Sequence, residues 1–162
     1  MSAPSAAPDF LVSDDDETRA VLRRRLVSLL LTGSGKVVVS TAYLGDFPLL
    51  DDRRGLLSSL TGRTFSNLTF FDLLELLTQR GIDVEVHCSQ SSMDQNPQTK
   101  AAVQDVRARK DIKVVAQDDR RNRDHRKVIE TPSLRLVGSA NLTRAGFHSN
   151  TEATAVMRLV PR

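Results

Sequence analysis

The chain has 162 residues, enough for one domain with a proper core and tight for two. Apolar residues make up 40% and charged residues 27%, the composition of a soluble globular protein, and the longest apolar run is far too short to span a bilayer. The formal net charge is +3, from 23 Lys and Arg against 20 Asp and Glu, an excess too small to identify an anionic partner by itself. Met1 to Phe10 lacks the basic region and apolar stretch of a secretory signal, so the expected location is cytoplasmic. The single cysteine, Cys88, has no partner for an internal disulfide and reads as a small buried hydrophobe.

In chain order, residues 1–12 read as a disordered tail, and residues 13–162 as one domain. Ser13 and the acidic run Asp14 to Glu17 form a helix start, with negative charge at the positive end of the helix dipole. That helix runs from about Asp14 to Leu31 and stops at Gly33. Lys36 to Ala42 is a β-branched run that reads as a buried strand. Tyr43 to Leu68 is irregular, with a short helix around Leu56 to Leu60. Phe70 to Arg80 has apolar residues at helical spacing and ends at Gly81, and Ile82 to Cys88 alternates as a strand does. Pro97 opens a helix to about Lys110, and Ile112 to Ala116 is the next strand. A polar loop, Gln117 to Asp124, leads to a strand from His125 to Glu130. After a turn at Thr131-Pro132-Ser133, Leu134 to Val137 returns, Asn141 to Gly146 is a turn or short helix, and Glu152 to Val160 is the last strand. Strands separated by helices predict an α/β fold, a mixed β-sheet flanked by helices, with sites at strand ends and in the loops that follow.

Several local patterns carry no function. Gly33-Ser34-Gly35-Lys36 lacks the first Gly and the final Ser or Thr of a phosphate loop, and it leads into a strand where such a loop opens a helix. His87, in an alternating strand beside Cys88, reads as structural. His148 has no metal-spaced partner, so no metal site is expected.

Residues 124–153, DHRKVIETPSLRLVGSANLTRAGFHSNTEA, are the informative stretch. In an alternating strand His125 and Lys127 face one side while Arg126 and Val128 face the other, so a candidate nucleophile stands beside a positive charge. His125-x-Lys127, then Gly138-Ser139-x-Asn141, then Asn150-x-Glu152, resembles the phospholipase D superfamily. Its signature is a His-x-Lys strand followed by a Gly-Ser-x-Asn turn. Val37 to Leu44, Phe70 to Val86 and Ile112 to Val160 fall in the order that this fold uses, as a single repeat.

The resemblance implies a phosphodiesterase that needs no metal or other cofactor. His125 would attack phosphorus and carry a covalent phosphohistidine, while Lys127, the Asn141 amide and turn amides near Ser139 would stabilise the charge of the transition state. Glu152 would hold the other nitrogen of a histidine and fix its tautomer. Arg120, Arg121 and Arg123, just before His125, are candidate substrate contacts.

Two features depart from the pattern. The signature continues to an Asp five residues after the Lys, where this chain has Pro132, and the interval to Gly138 is one residue short. Active sites of the superfamily also use two His-x-Lys motifs, one histidine attacking and one protonating the leaving oxygen, whereas this chain has one. A homodimer with one composite site is the expectation. The implied activity is that of a nuclease, with DNA the favoured partner and no stable membrane association. A binding module without turnover, suggested by Pro132, and an enzyme for phospholipid headgroups are the alternatives.

Overall fold

The computed structural model describes residues 10–12, 15–51, 55–64, 66–118, 127–138, 143 and 154–158. The first half holds β1 (Phe10–Val12), α1 (Asp15–Thr32), β2 (Lys36–Thr41), β3 (Pro48–Asp51), α2 (Leu56–Thr61), β4 (Asn67–Thr69) and α3 (Phe70–Gln79). It is followed by β5 (Asp83–Ser89), α4 (Gln90–Gln95), α5 (Pro97–Ala108), β6 (Ile112–Gln117), β7 (Lys127–Thr131), β8 (Leu134–Gly138) and β9 (Thr154–Arg158). Seven strands form one mixed sheet in the order β1-β9-β8-β7-β2-β5-β6, and β3 and β4 pair separately. β2, β5 and β6 are mutually parallel, and every pairing from β2 through β7, β8 and β9 to β1 is antiparallel.

The β-branched run of β2 explains its central place. Val37 and Val39 are fully buried, while Val38 and Ser40, on the opposite face, are half-buried. In β5 the same alternation buries Val84, Val86 and Cys88 and leaves Glu85 and His87 half-buried. The crossovers from β2 to β5 and from β5 to β6 step the same way across the sheet. The right-handed rule therefore sets α3 and α5 on one face, over these buried valines. Leu22, Leu26, Leu29 and Leu30 form the apolar stripe of α1 and join the same core.

Local chemistry defines the helix ends. Thr69 and Asp72 form a capping box at the start of α3, with the Thr69 side chain accepting from the Asp72 amide and the Asp72 carboxylate accepting from the Thr69 amide. Asn96 caps α5 through the Thr99 amide at 2.9 Å, with Pro97 in the first turn. Gly33, at φ +66°, closes α1 by donating to the Leu29 carbonyl at 2.9 Å. Arg109, at the end of α5, reaches back to α3, donating to Asp72 at 2.9 Å and Glu75 at 3.3 Å and lying 5.7 Å from the centre of the Phe71 ring. Burial of the Asp72 carboxyl works against its charge, yet the bonds from Arg109 and Thr69 hold it below the ordinary carboxylate range.

Two expectations are corrected. Residues 10–12, placed in a disordered tail, form β1, because Phe10-Leu11-Val12 completes the ladder along β9; residues 1–9 lie outside the described residues. The segment expected to be irregular contains the β3–β4 pair around α2, strands too short to show a periodicity. The helix at Pro97 is preceded by α4, whose N-cap is Ser89 accepting from the Ser92 amide. No helix among the described residues is long and apolar enough to cross a membrane.

Phe70 is fully buried and stacks on Phe47 with ring centres 5.0 Å apart. Gly35, at φ +111°, packs so closely under the turn after β7 that an added Cβ would stand 2.3 Å from Cγ of Pro132. Urea denaturation should show Phe70→Ala losing about 3–5 kcal/mol. Gly35→Ala should lose roughly 1–3 kcal/mol, because neither the proline ring nor the backbone can yield without strain.

Candidate active site

One end of the sheet gathers strand ends that include or adjoin the sequence motif. β2, β5 and β6 finish there at Thr41, Ser89 and Gln117, and antiparallel β7 starts there at Lys127. β8 ends and β9 begins at the same edge, where Lys127 pairs with Gly138 and Gly138 with Thr154. Lys127, Gly138 and Thr154 therefore make one row across three adjacent strands, roughly 5 Å from strand to strand. In sequence, Lys127 ends His-x-Lys, Gly138 begins Gly-Ser-x-Asn, and Thr154 follows Asn-x-Glu by two residues.

The alternation of β7 decides the direction of Lys127. Ile129 and Thr131, on its face, are 5% and 3% exposed, so Lys127 lies on the helix-covered face at its rim and is itself half-buried. The β2–β7 pairing runs through Ser40 and Val128; one residue further, it sets Thr41 level with Lys127. Beyond Thr41 the chain turns into a loop that closes over the same end. The Thr41 hydroxyl donates to the Tyr43 carbonyl at 2.8 Å, and the Cys88 thiol donates to the Ala42 carbonyl at 3.6 Å. Asp46 accepts from the amides of Phe47 and Phe71, both at 3.0 Å, and so ties the loop to α3. Gly45 approaches Thr143, two residues past Asn141 in the chain, closely enough that a Cβ there would touch the Thr143 backbone at 3.5 Å.

Of the residues singled out from sequence, Lys127 is placed as described. His125, Ser139, Asn141, Glu152, Arg120, Arg121 and Arg123 lie outside the described residues, as does the turn or helix expected from Asn141 to Gly146 except for Thr143. Tyr43 had no sequence signal, because an isolated aromatic in an irregular segment has no period; its 39% exposure at this end of the sheet emerges only from the fold.

Pro132 stands at the other end. It follows β7 at the turn into β8, five residues from Lys127, or roughly 16 Å along the strand, and packs against Gly35. The missing acid is thus a feature of the distal turn. The Gly33 to Lys36 segment lies at that distal end too, joining α1 to β2.

On the opposite, half-open face, His87 is fully engaged. Gln117 donates its amide to Nδ1 at 3.1 Å, which leaves Nε2–H to donate to Glu85 at 3.2 Å. Glu85 also receives Lys113 at 2.9 Å and Lys36 at 3.0 Å. The Lys113 hydrogen bond, then Lys36 and His87, lower its pKa to about 2. Among the described residues no three His, Cys, Asp or Glu side chains come together as metal ligands.

Residues 59–159, more than half of the chain, match the model of the family described as cardiolipin synthase, PLD-like domain. Among solved structures the chain is similar to NucT from Helicobacter pylori, at 17% identity and a TM-score of 0.56, over 91% of this chain and 82% of that one. It is similar to the phospholipase D family member Nuc from Salmonella typhimurium, at 17% identity and a TM-score of 0.53, over 86% and 76% respectively. The polyphosphate kinase from Porphyromonas gingivalis shares the fold over 91% of this chain but only 23% of its own length, with 12% identity and a TM-score of 0.57. No curated protein matches the sequence.

The Glu85 cluster makes a prediction with a definite sign. A carboxylate whose folded pKa is about 2, against an ordinary 4.5, adds stability that is complete above the ordinary value and is lost as pH falls toward 2. The unfolding midpoint should therefore drop between about pH 5 and 2, less so in Glu85→Gln. Because Lys36 and Lys113 are exposed, the difference between the two proteins should shrink in high salt.

Proposed function

The chain belongs to the phospholipase D-like family, and we propose that it is a metal-independent, nuclease-type phosphodiesterase working through a covalent phosphohistidine on His125. The observation that supports this reading is the row Lys127, Gly138 and Thr154, at which strand ends that belong to or adjoin the motif in sequence meet at one edge of the sheet. In the proposed reaction an imidazole nitrogen of His125 attacks phosphorus, and the bond from phosphorus to the leaving oxygen breaks. That oxygen takes a proton from a second histidine. Water then attacks the phosphohistidine, the phosphorus–nitrogen bond breaks, and the proton lost by water returns to the second histidine. Lys127 and the Asn141 amide offset the negative charge that gathers on the non-bridging oxygens, and Glu152 orients an imidazole.

With one His-x-Lys motif per chain, the second histidine is His125 of another copy, so the active form is a two-fold homodimer. The run Arg120-Arg121-Asn122-Arg123 supplies cations beside the nucleophile, which favours a polyanion, DNA above all, as substrate. The family's description names a lipid enzyme, and so a phospholipid headgroup is the second reading. The position of Pro132 far from Lys127 supports turnover over a purely binding role.

Trapping of labelled substrate on the protein, with the adduct located by mass spectrometry after an acid-free quench, tests the chemistry. His125→Ala should abolish the adduct, and Lys127→Ala should slow its formation by on the order of 100-fold to 1,000-fold. Glu152→Gln should fall between them, and all three effects should persist in excess chelator. An adduct on His125→Ala, or activity that needs magnesium, would sink the mechanism. Headgroup release from vesicles without cleavage of DNA would transfer the site to the lipid reading.

Sedimentation of the active protein should give a dimer. A strict monomer that cleaves phosphodiesters at full rate would overturn the shared site.

A further inference from the structure

Tyr43 is the sole tyrosine of the chain, which has no tryptophan. It is 39% exposed, and among the described residues the other exposed large hydrophobic side chain is Leu31, near the end of α1 and so at the opposite end of the sheet. An aromatic ring is thus presented to solvent at the end where Lys127, Gly138 and Thr154 meet. Its loop is held from several directions. Thr41 binds the Tyr43 carbonyl, Cys88 binds the carbonyl of Ala42, and Leu44, the next residue, is 1% exposed. Asp46 fastens the loop to α3 through two amides, and Gly45 lies against Thr143. Thr41 is level with Lys127, and Tyr43 follows Thr41 by two residues.

A solvated aromatic on a fixed loop loses little freedom when a planar partner stacks on it. Every nucleobase has such a face, so stacking tolerates any sequence, but in a duplex those faces are covered by neighbouring pairs. We infer that Tyr43 is a stacking platform for an unpaired base, making the site selective for single-stranded nucleic acid. The inference rests on the nuclease reading and adds the form of substrate that the same site takes.

The composition supplies the measurement, because tyrosine emission reports on Tyr43 alone. A short, cleavage-resistant phosphorothioate oligonucleotide, single-stranded or annealed to its complement, is titrated into the protein in chelator. The single strand should quench the emission in step with binding, and the duplex should quench it less. With a labelled strand followed by anisotropy, Tyr43→Ala should weaken single-strand binding by about tenfold, with a smaller loss on duplex, while Tyr43→Phe keeps the ring and the affinity. A single strand that binds without changing the emission, or that Tyr43→Ala binds as tightly as the native chain does, overturns the stacking role and leaves the nuclease reading standing. A native chain that binds neither form overturns both.

Discussion

Strand β2 is hydrogen-bonded to parallel β5 on one side and to antiparallel β7 on the other, and the placement of Lys127 depends on that switch. A strand leaves a sheet at its C-terminal end, so parallel β2, β5 and β6 all release their loops at one edge. Reversal at β7 brings its first residue, Lys127, to that same edge, and each later antiparallel step keeps its partners there, Gly138 and then Thr154. Register is equally decisive. A slip of one residue between β2 and β7 would turn Ile129 and Thr131 out of the core and Lys127 off the covered face, so burial of two ordinary side chains holds the direction of a lysine.

The two ends of the sheet are consequently different in kind. At the distal end, Gly33 closes a helix, and Gly35 accepts the Pro132 ring in a space that no other residue would leave. Pro132 fixes its own φ and cannot donate a backbone hydrogen bond, which suits a turn between antiparallel strands. At the motif end, the loop after β2 is held by a hydroxyl, a thiol and a carboxylate, so its geometry follows from β2, β5 and α3 together.

Charge on the half-open face is paired locally. On the half-open face Glu85 takes up Lys36 and Lys113, and Glu130 binds Arg135 at 2.7 Å, so cations there are met by carboxylates a few ångströms away. Such a face contributes little net field at the distance of a substrate. In sequence the three arginines of Arg120 to Arg123 are likewise flanked by three acids, Asp118 and Asp119 before them and Asp124 after.

Sequence alone determined what depends on near neighbours. The leucine spacing of α3, the β-branched run of β2 and the alternation of β5 are local periods, and each element lies within a residue or two of its expected bounds. The motif is legible for the same reason, because His125, Lys127, Ser139, Asn141 and Glu152 are recognised by residue type and interval. What tertiary structure decided is which distant segments adjoin. Phe10 to Val12 is a strand because β9 offers it a ladder, roughly the whole chain away. Asp46 faces the amide of Phe71, Gly35 lies under Pro132, and Tyr43 is exposed at the level where β7 begins, none of which has a local signature. These contacts arise from pairing and burial between segments far apart in the chain, and a period of two or of 3.6 residues holds no record of its partner.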